Sequence, residues 1–184
     1  MSTLRETFLE ELGVIYDAEK QLLKALPKMT QAAGHDDLRH SFEEHLEQTE
    51  GQIERLEQVF EIIAEEPPAR SCKAMESLIK EADQLIKEHR GDAALIGAAQ
   101  KAGHYEIASY GSLQSWARLL NEDEAAELLE ESLDEERDTD ERLTETAENV
   151  INVEENEEEP EEAADEDSEE RHEEHPPGKP AGSK

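Results

Sequence analysis

Four acidic residues stand where the helical pattern of this chain requires apolar side chains. They are Glu19, Glu106, Glu136 and Asp140. At about 100° per residue, each falls on a helical face that is otherwise formed by leucine, isoleucine, tyrosine or alanine. A buried carboxylate is costly unless it becomes protonated or binds a cation, and these faces contain almost no Lys or Arg. The pattern therefore indicates a metal centre.

An imidazole joins the carboxylates when the helices are folded back at their turns. If the first turn centres near Gly34, residue 19 lies level with about residue 50, so Thr49 points inward at that height and His45 lies one turn nearer the loop. By the same arithmetic, Glu106 lies level with Glu136. Four carboxylates and one imidazole suit two ions of Fe or Mn. The predicted ligands are Glu19, His45, Glu106, Glu136 and Asp140, flanked by Thr49, Gln52, Tyr16 and Tyr110.

The pattern departs from the usual di-iron signature, which adds a Glu-x-x-His motif from each of two helices. Here Thr49 occupies the Glu position of one motif, and Gln52 and Thr139 occupy the two His positions. A polar core of hydrogen-bonded acids is therefore the alternative to a metal centre. For His45 the alternative is a core histidine, while His104 is expected on the outer side of its helix.

Five helical segments must position these residues. They are predicted at residues 2–33, 36–65, 71–89, 92–120 and 122–152, with Ser2 or Thr3 capping the first and Ser71 the third. The first and last connections are very short, so they form two antiparallel hairpins. A connection of about 25 residues with its own helix joins the hairpins. The sequence therefore predicts an all-α, ferritin-like four-helix bundle with an extra crossover helix.

The two hairpins also repeat one another with a shift of 87 residues. This shift places Glu19 on Glu106 without a gap, so the two acids are expected to face one another across the core. The other matching positions are Leu26 and Leu113, Asp36 and Asp123, Leu46 and Leu133, and 54–56 and 141–143.

Charge divides the 184 residues into two parts. Residues 154–184 hold 14 acids and three bases, so they are expected to form a disordered acidic tail behind a bundle of residues 1–153. The whole chain carries a formal charge of −32, and the bundle alone stays near −21, which argues against nucleic-acid partners.

With no apolar run of about 18 residues, no membrane partner is expected. The single cysteine, Cys72, excludes an intrachain disulfide, and a cytoplasmic location is expected.

Five segments of the chain carry a family resemblance: DAEKQLLKALPKM (17–29), HLEQTEGQIERLEQVFE (45–61), CKAMESLIKEA (72–82), AALIGAAQKAGHYEIASYGSL (93–113) and LDEERDTDERL (133–143). They resemble the YciE/YciF family of ferritin-like bacterial stress proteins over about residues 4–150. The resemblance implies a rubrerythrin-like bundle, a homodimer and a di-metal site. That site maps onto Glu19, His45, Thr49, Gln52, Glu106, Glu136 and Asp140.

Two functional hypotheses follow from these observations. The first is a di-metal protein of stress response that acts on peroxide or oxygen. The second is a non-enzymatic structural or partner-binding stress protein with a degenerate site. The four inward acids favour the first, and the missing Glu-x-x-His motifs favour the second. Iron storage in a shell is disfavoured, because a charged tail stands where ferritins have a fifth packing helix.

Overall fold

Helices account for nearly all of residues 2–157, the part of the chain that the computed structural model describes. The elements are α1 (Leu4–Ala32), α2 (Asp36–Ile62), α3 (Lys73–Lys87), α4 (Asp92–Leu119), α5 (Asp123–Thr146), a π-helical turn (Ala147–Ile151) and α6 (Asn152–Glu157). The predicted all-α, ferritin-like bundle with a crossover helix is confirmed. Residues 154–157 of the predicted tail 154–184 lie in α6, and residues 158–184 lie outside the described residues, so the disordered tail stays a prediction.

The four long helices pack in a square in which every neighbour runs antiparallel. Helix α1 contacts α2 and α4, and α5 contacts the same two helices, while α3 lies across α1 and α4. At one end Arg5 pairs with Glu122 at 3.0 Å, and at the other the N–H of Gly34 donates to Asp92 Oδ1 at 2.9 Å. The long crossover thus returns the chain to the end where α1 finishes, as the ferritin-like topology requires.

The free backbone N–H groups in the first turns of α1 and α4 bond to different kinds of acceptor. Thr3 and Glu6 form a local capping box at the start of α1. Helix α4 has no side-chain cap of its own; instead, Glu155 Oε1 accepts the N–H groups of Asp92 and Ala93 at 2.6 and 3.0 Å. The first turn of α4 is therefore capped by a carboxylate that belongs to α6.

The N-cap of α3 differs from the sequence prediction. Cys72 takes this position instead of Ser71, and its Sγ accepts the N–H of Met75 at 3.3 Å. The reason lies in α1, where Asp17 Oδ2 accepts the N–H of Cys72 at 2.8 Å and holds it in extended conformation just before the helix.

Two apolar clusters fill the two ends of the bundle, and a polar layer separates them. One cluster includes Phe8, Leu12, Leu113 and Leu129, and the other includes Leu22, Leu26, Phe42, Leu95 and Leu143. The polar layer contains Glu19, His45, Thr49, Gln52, Glu106, Ser132, Glu136 and Thr139, all buried. Among residues 2–157, no helix combines the length and hydropathy needed to cross a bilayer.

Candidate metal centre

Each long helix contributes one ionisable side chain to the middle of the polar layer. These are Glu19 from α1, His45 from α2, Glu106 from α4 and Glu136 from α5, and none is more than 7% exposed. His45, Glu106 and Glu136 each offer a ligand atom, and these three atoms lie within 4.8 Å of one another. Facing helices have thus brought together oxygen and nitrogen atoms of the kind that bind divalent metals in helical bundles.

Within residues 2–157, most of these donor atoms have no hydrogen-bond partner. Tyr110 Oη donates to Glu19 Oε1 at 2.6 Å, and Gln52 Nε2 donates to Glu136 Oε1 at 2.7 Å. The remaining buried acceptors lack a partner within residues 2–157: Glu19 Oε2, His45 Nδ1, Gln52 Oε1, both carboxyl oxygens of Glu106, and Glu136 Oε2. Unsatisfied buried polar atoms are rare and need an explanation. A bound divalent cation would satisfy several of them at once, so the donor set fits a metal.

Burial and mutual repulsion shift the pKa values of the two facing acids upward. Burial raises the pKa of Glu19 to about 8, and the charge of Glu136 adds to this, while the hydrogen bond from Tyr110 opposes it. Burial also raises the pKa of Glu106 well above its usual range, reinforced by the charges of Glu19 and Glu136. The interaction between the two carboxyl groups further raises the pKa of Glu106 and lowers that of Glu19. Without a cation, the pair holds at least one proton near neutral pH.

Glu136 differs from this pair because it has compensating neighbours. Burial raises its pKa, whereas His45 and the hydrogen bond from Gln52 lower it. The shift in Glu136 is therefore a balance between burial and specific partners.

Arg55 lies close to the layer but does not neutralise it. Its charge lowers the pKa of Glu19, yet its hydrogen bonds go to Ser132, Glu131 and Glu135 on α5. Because the guanidinium bonds to these three residues, it forms no hydrogen bond with the buried Glu19, Glu106 or Glu136.

Asp140 does not join the other predicted ligands. Its side chain is 23% exposed, and its Oδ1 accepts Gln100 Nε2 at 3.1 Å and lies 3.2 Å from His104 Nε2. His104 is 65% exposed, in agreement with its expected position on the outer side of α4. The structure therefore brings the ligand atoms of three predicted ligands, His45, Glu106 and Glu136, close together and buries Glu19 in the same layer. It places Asp140 between the core and the surface.

The flanking polar residues also divide into two groups. Gln52 and Tyr110 contact the acids directly, as described above. Thr49 instead donates back to the carbonyl of His45 at 2.9 Å. Tyr16 does not reach the acids, because its hydroxyl donates to Glu57 at 2.5 Å and Lys20 Nζ lies 4.1 Å from the centre of its ring.

Three features beside the polar layer were not identified from the sequence: Gly103, Gln100 and the pairing of His104 with Asp140. A Cβ on Gly103 would lie 3.5 Å from Glu136 Oε2, so glycine leaves room beside that carboxylate. The arithmetic that sets Glu106 level with residue 137 also sets residues 100–104 near Asp140, and it could have revealed this group.

A small cavity adjoins the centre. Its volume is about 20 Å³, enough for one water molecule, and its polar lining includes His45, Glu136, Gln100, Thr139 and Asp140. The rest of its wall is largely apolar and includes Leu22, Phe42 and Leu143. The cavity thus lies between the buried donors and the half-buried Asp140.

Comparison with known proteins places this architecture in a family. Residues 3–156 match the family described as a domain of unknown function, DUF892. The chain is 47% identical to protein YciF of Escherichia coli over 157 residues, which cover 83% of this chain and 95% of YciF.

Solved structures agree with the sequence comparison. The crystal structure of the E. coli stress protein YciF has a TM-score of 0.78 at 46% identity, covering 80% of this chain and 96% of that one. YcfI from Rhodopseudomonas palustris, whose description proposes a structural role, has a TM-score of 0.75 at 41% identity and covers 78% and 94%. A Xanthomonas campestris protein shares the fold at 23% identity, with a TM-score of 0.68 and coverage of 86% and 100%. The polar layer described above is therefore carried by a chain that belongs to the YciF family of ferritin-like proteins.

Proposed function

We propose that this chain is a di-metal protein of stress response, holding Fe or Mn and acting on peroxide or oxygen. The observation that supports this is the convergence of unpartnered acceptors from four helices: Glu19 Oε2, His45 Nδ1, Glu106 Oε1 and Oε2, and Glu136 Oε2. A cation is the partner that satisfies carboxylate oxygens and an imidazole nitrogen together. A purely structural core would instead supply hydrogen-bond donors to these atoms.

The proposed ligands divide between two ions. His45, Glu106 and Glu136 would hold the first, because their donor atoms already lie within 4.8 Å of one another. Glu19 and Glu106 would hold the second, since both are fully buried and Glu19 Oε2 and both oxygens of Glu106 lack a partner within residues 2–157. Tyr110 and Gln52 would orient Glu19 and Glu136 through their existing hydrogen bonds.

Two Fe or Mn ions would supply one electron each, and with two protons these reduce H₂O₂ to two molecules of water. The chain's own residues bind and orient the donors and exclude bulk water from the centre. The mostly apolar cavity beside His45 and Glu136 would admit a molecule no larger than water or a small oxidant.

Elemental analysis tests the binding proposal. Tag-free protein is stripped with a chelator, reloaded with Mn²⁺ or with Fe²⁺ under anaerobic conditions, and passed through a desalting column. We expect up to two ions per chain, falling by at least one ion in Glu106→Gln. The exposed α5 variant Glu141→Gln serves as the control and should match wild type. Metal far below one ion per chain in the wild type would refute the binding proposal.

Peroxide consumption tests the proposed activity separately. The loaded and stripped proteins are mixed with H₂O₂, and its loss is followed together with the oxidation state of the metal. We expect two metal ions to be oxidised for each H₂O₂ consumed by the loaded protein. A protein that binds metal but leaves peroxide and oxygen unchanged would contradict the proposed activity while leaving the binding proposal intact.

One observation favours the second candidate, a structural or partner-binding stress protein with a degenerate site. Helix α2 supplies Thr49 and Gln52 where di-iron bundles supply a carboxylate and a histidine, and α5 supplies Thr139, whose hydroxyl donates to Gln48 at 2.9 Å. This candidate predicts unchanged melting after chelation, a result that would also contradict the metal proposal.

A further inference from the structure

We propose that Asp140, positioned by His104 and Gln100, forms the port through which divalent cations reach the buried centre. This inference rests on the proposed metal function and extends it. It assigns Asp140 a role in capture and transfer of the ion in place of the predicted role as a permanent ligand. The chemical class of its ligand is a small divalent cation in transit.

The burial of the centre makes a route necessary. Glu19 and Glu106 are fully buried and Glu136 is 1% exposed, so bulk solvent does not reach the donor atoms directly. The cavity beside them is lined by the buried side chains of His45 and Glu136 and also by Asp140, Gln100 and Thr139. Asp140 is the acid of this lining that is also partly exposed to solvent, so it connects the two environments.

At the buried end of this route lie polar atoms that have no hydrogen-bond partner in the described chain. His45 Nδ1 and Glu136 Oε2 belong to residues that line the same cavity, are buried, and lack partners within the described chain. A cation captured at Asp140 would therefore move toward donors that bind it more completely.

The partners of Asp140 leave its charge available. Gln100 is neutral, and His104 is a largely exposed imidazole that contacts Oδ1, while neither Lys nor Arg pairs with Asp140 in residues 2–157. The neighbouring base Lys101 is paired with Glu81 on α3. A carboxylate held in place by such donors retains the negative charge needed to concentrate cations at the opening.

In the α1–α2 hairpin, the crossover covers the location that corresponds to Asp140 and its partners. With the 87-residue shift, Gln100 and His104 correspond to Gly13 and Asp17 on α1, and Asp140 corresponds to Ile53. There the crossover covers the helix: a Cβ on Gly13 would lie 2.5 Å from Pro68 Cγ, and Asp17 accepts the N–H of Cys72. On the α4–α5 side α3 also contacts α4, through Glu81 and Lys101, and lines the cavity with Leu78 and Ile79. Asp140 nevertheless keeps 23% of its side chain exposed there, so this side offers a carboxylate that solvent can reach.

Metal-exchange kinetics test this assignment. Stripped protein is mixed with Mn²⁺, and binding is followed by the loss of the free-ion EPR signal; release is followed by chelator challenge. We expect Asp140→Asn to slow binding and release together, each on the order of tenfold, with the dissociation constant changing less than about threefold. A route residue changes both rates equally, whereas the loss of a ligand weakens affinity and speeds release.

Matched variants keep the test decisive. Asp138→Asn removes the same charge from the exposed face of α5 and should leave both rates at the wild-type value. His104→Lys places a permanent cation beside Asp140 at a position that is 65% exposed, and should slow binding as Asp140→Asn does. Circular dichroism of each variant confirms folding.

The outcomes separate this inference from the proposed function. If wild type binds Mn²⁺ and Asp140→Asn exchanges it at the wild-type rate, the port is refuted and the metal centre stands. Faster release with weaker affinity would restore Asp140 as a ligand and also refute the port. If wild type binds no metal, the proposed function itself fails.

Discussion

The α1–α2 and α4–α5 hairpins place an acid at the same position, but they surround it differently. Glu19 receives a hydrogen bond from Tyr110, whereas both carboxyl oxygens of Glu106 lack a partner in the described chain. The 87-residue shift explains the difference, because the position that corresponds to Tyr110 in the first hairpin is Leu23, which cannot donate. The two equivalent positions therefore hold different acids: Glu19 accepts a hydrogen bond, whereas Glu106 needs a proton or a cation.

The second helices of the two hairpins differ in the same way. Helix α5 supplies Glu136 to the centre, and its counterpart on α2 is Thr49, whose hydroxyl bonds to its own helix. In return α2 supplies His45, whose counterpart on α5 is Ser132. The two hairpins thus contribute different donor types to one site, which is why the site cannot be described as the doubled motif of a symmetric di-iron bundle.

The largest expected effect comes from removing two acids of the centre together. In Glu106→Gln/Glu136→Gln, the holo protein should lose its metal stabilisation, about 2.7 kcal/mol when the free ion is at 100 times its dissociation constant. The apo protein should gain about 1 kcal/mol, because the cost of burying ionised carboxylates and the repulsion among them are both reduced. Melting wild type and variant with Mn²⁺ and with EDTA provides the four values.

A double variant on the exposed face of α5, Glu141→Gln/Glu145→Gln, is the control for this prediction. It should respond to Mn²⁺ as wild type does. If the centre variant is destabilised equally with and without chelator, its acids are hydrogen-bonded core groups and not metal ligands.

The pH dependence of the apo protein sharpens the same comparison. The folded pKa of Glu19 is about 8, above its ordinary value of 4.5, so the stability it contributes is complete below about pH 4.5 and is lost as pH rises through 8. From pH 6 to 8 the loss from this residue should be about 2 kcal/mol. Urea unfolding in EDTA measures it.

Glu19→Gln should flatten this part of the profile relative to wild type. The difference between the two profiles is the relevant quantity, since the general acidity of the chain affects both. In the presence of Mn²⁺ the slope should reverse, because metal binding requires deprotonated ligands. Identical slopes for wild type and variant in EDTA would contradict the raised pKa.

Removing the hydroxyl that distinguishes the two acids should have a smaller effect. In Tyr110→Phe, Glu19 loses its buried donor and resembles Glu106, so the apo protein should lose about 1–2 kcal/mol. Tyr16→Phe removes a hydroxyl that bonds the exposed partner Glu57 and should change stability by less than about 0.5 kcal/mol. Equal losses in the two variants, measured by urea unfolding in EDTA, would remove the distinction drawn between the hairpins.

The smallest expected effect concerns the helix starts of the two hairpins. Glu155→Gln weakens the side-chain acceptor observed at the first turn of α4, and should cost about 0.5–1 kcal/mol. Part of this loss should disappear at high salt, because the favourable interaction with the helix dipole is screened. Glu148→Gln removes the same charge from an exposed position of the π-helical turn and should change the unfolding midpoint little. An equal loss in this control would argue against the cap.

The sequence by itself determined the helices and the faces that point inward. Helical periodicity is local, so a 3.6-residue spacing of apolar side chains identified the stripes, and Glu19, Glu106 and Glu136 within those stripes were correctly placed in the core. The short turns and the long crossover determined the topology for a similar reason, because connection lengths restrict which helices can be neighbours.

Only the tertiary structure decided what each inward or flanking group contacts. Tyr16 and Tyr110 both lie one turn from an acid and were indistinguishable in sequence, yet one hydroxyl reaches Glu57 and the other reaches Glu19. Asp140 shares its stripe with Glu136 but ends beside His104 at the edge of the bundle. A helical period gives the direction of a side chain to within tens of degrees. Contacts depend on the rotation, height and covering of neighbouring helices, and these are set by the packing of the whole bundle.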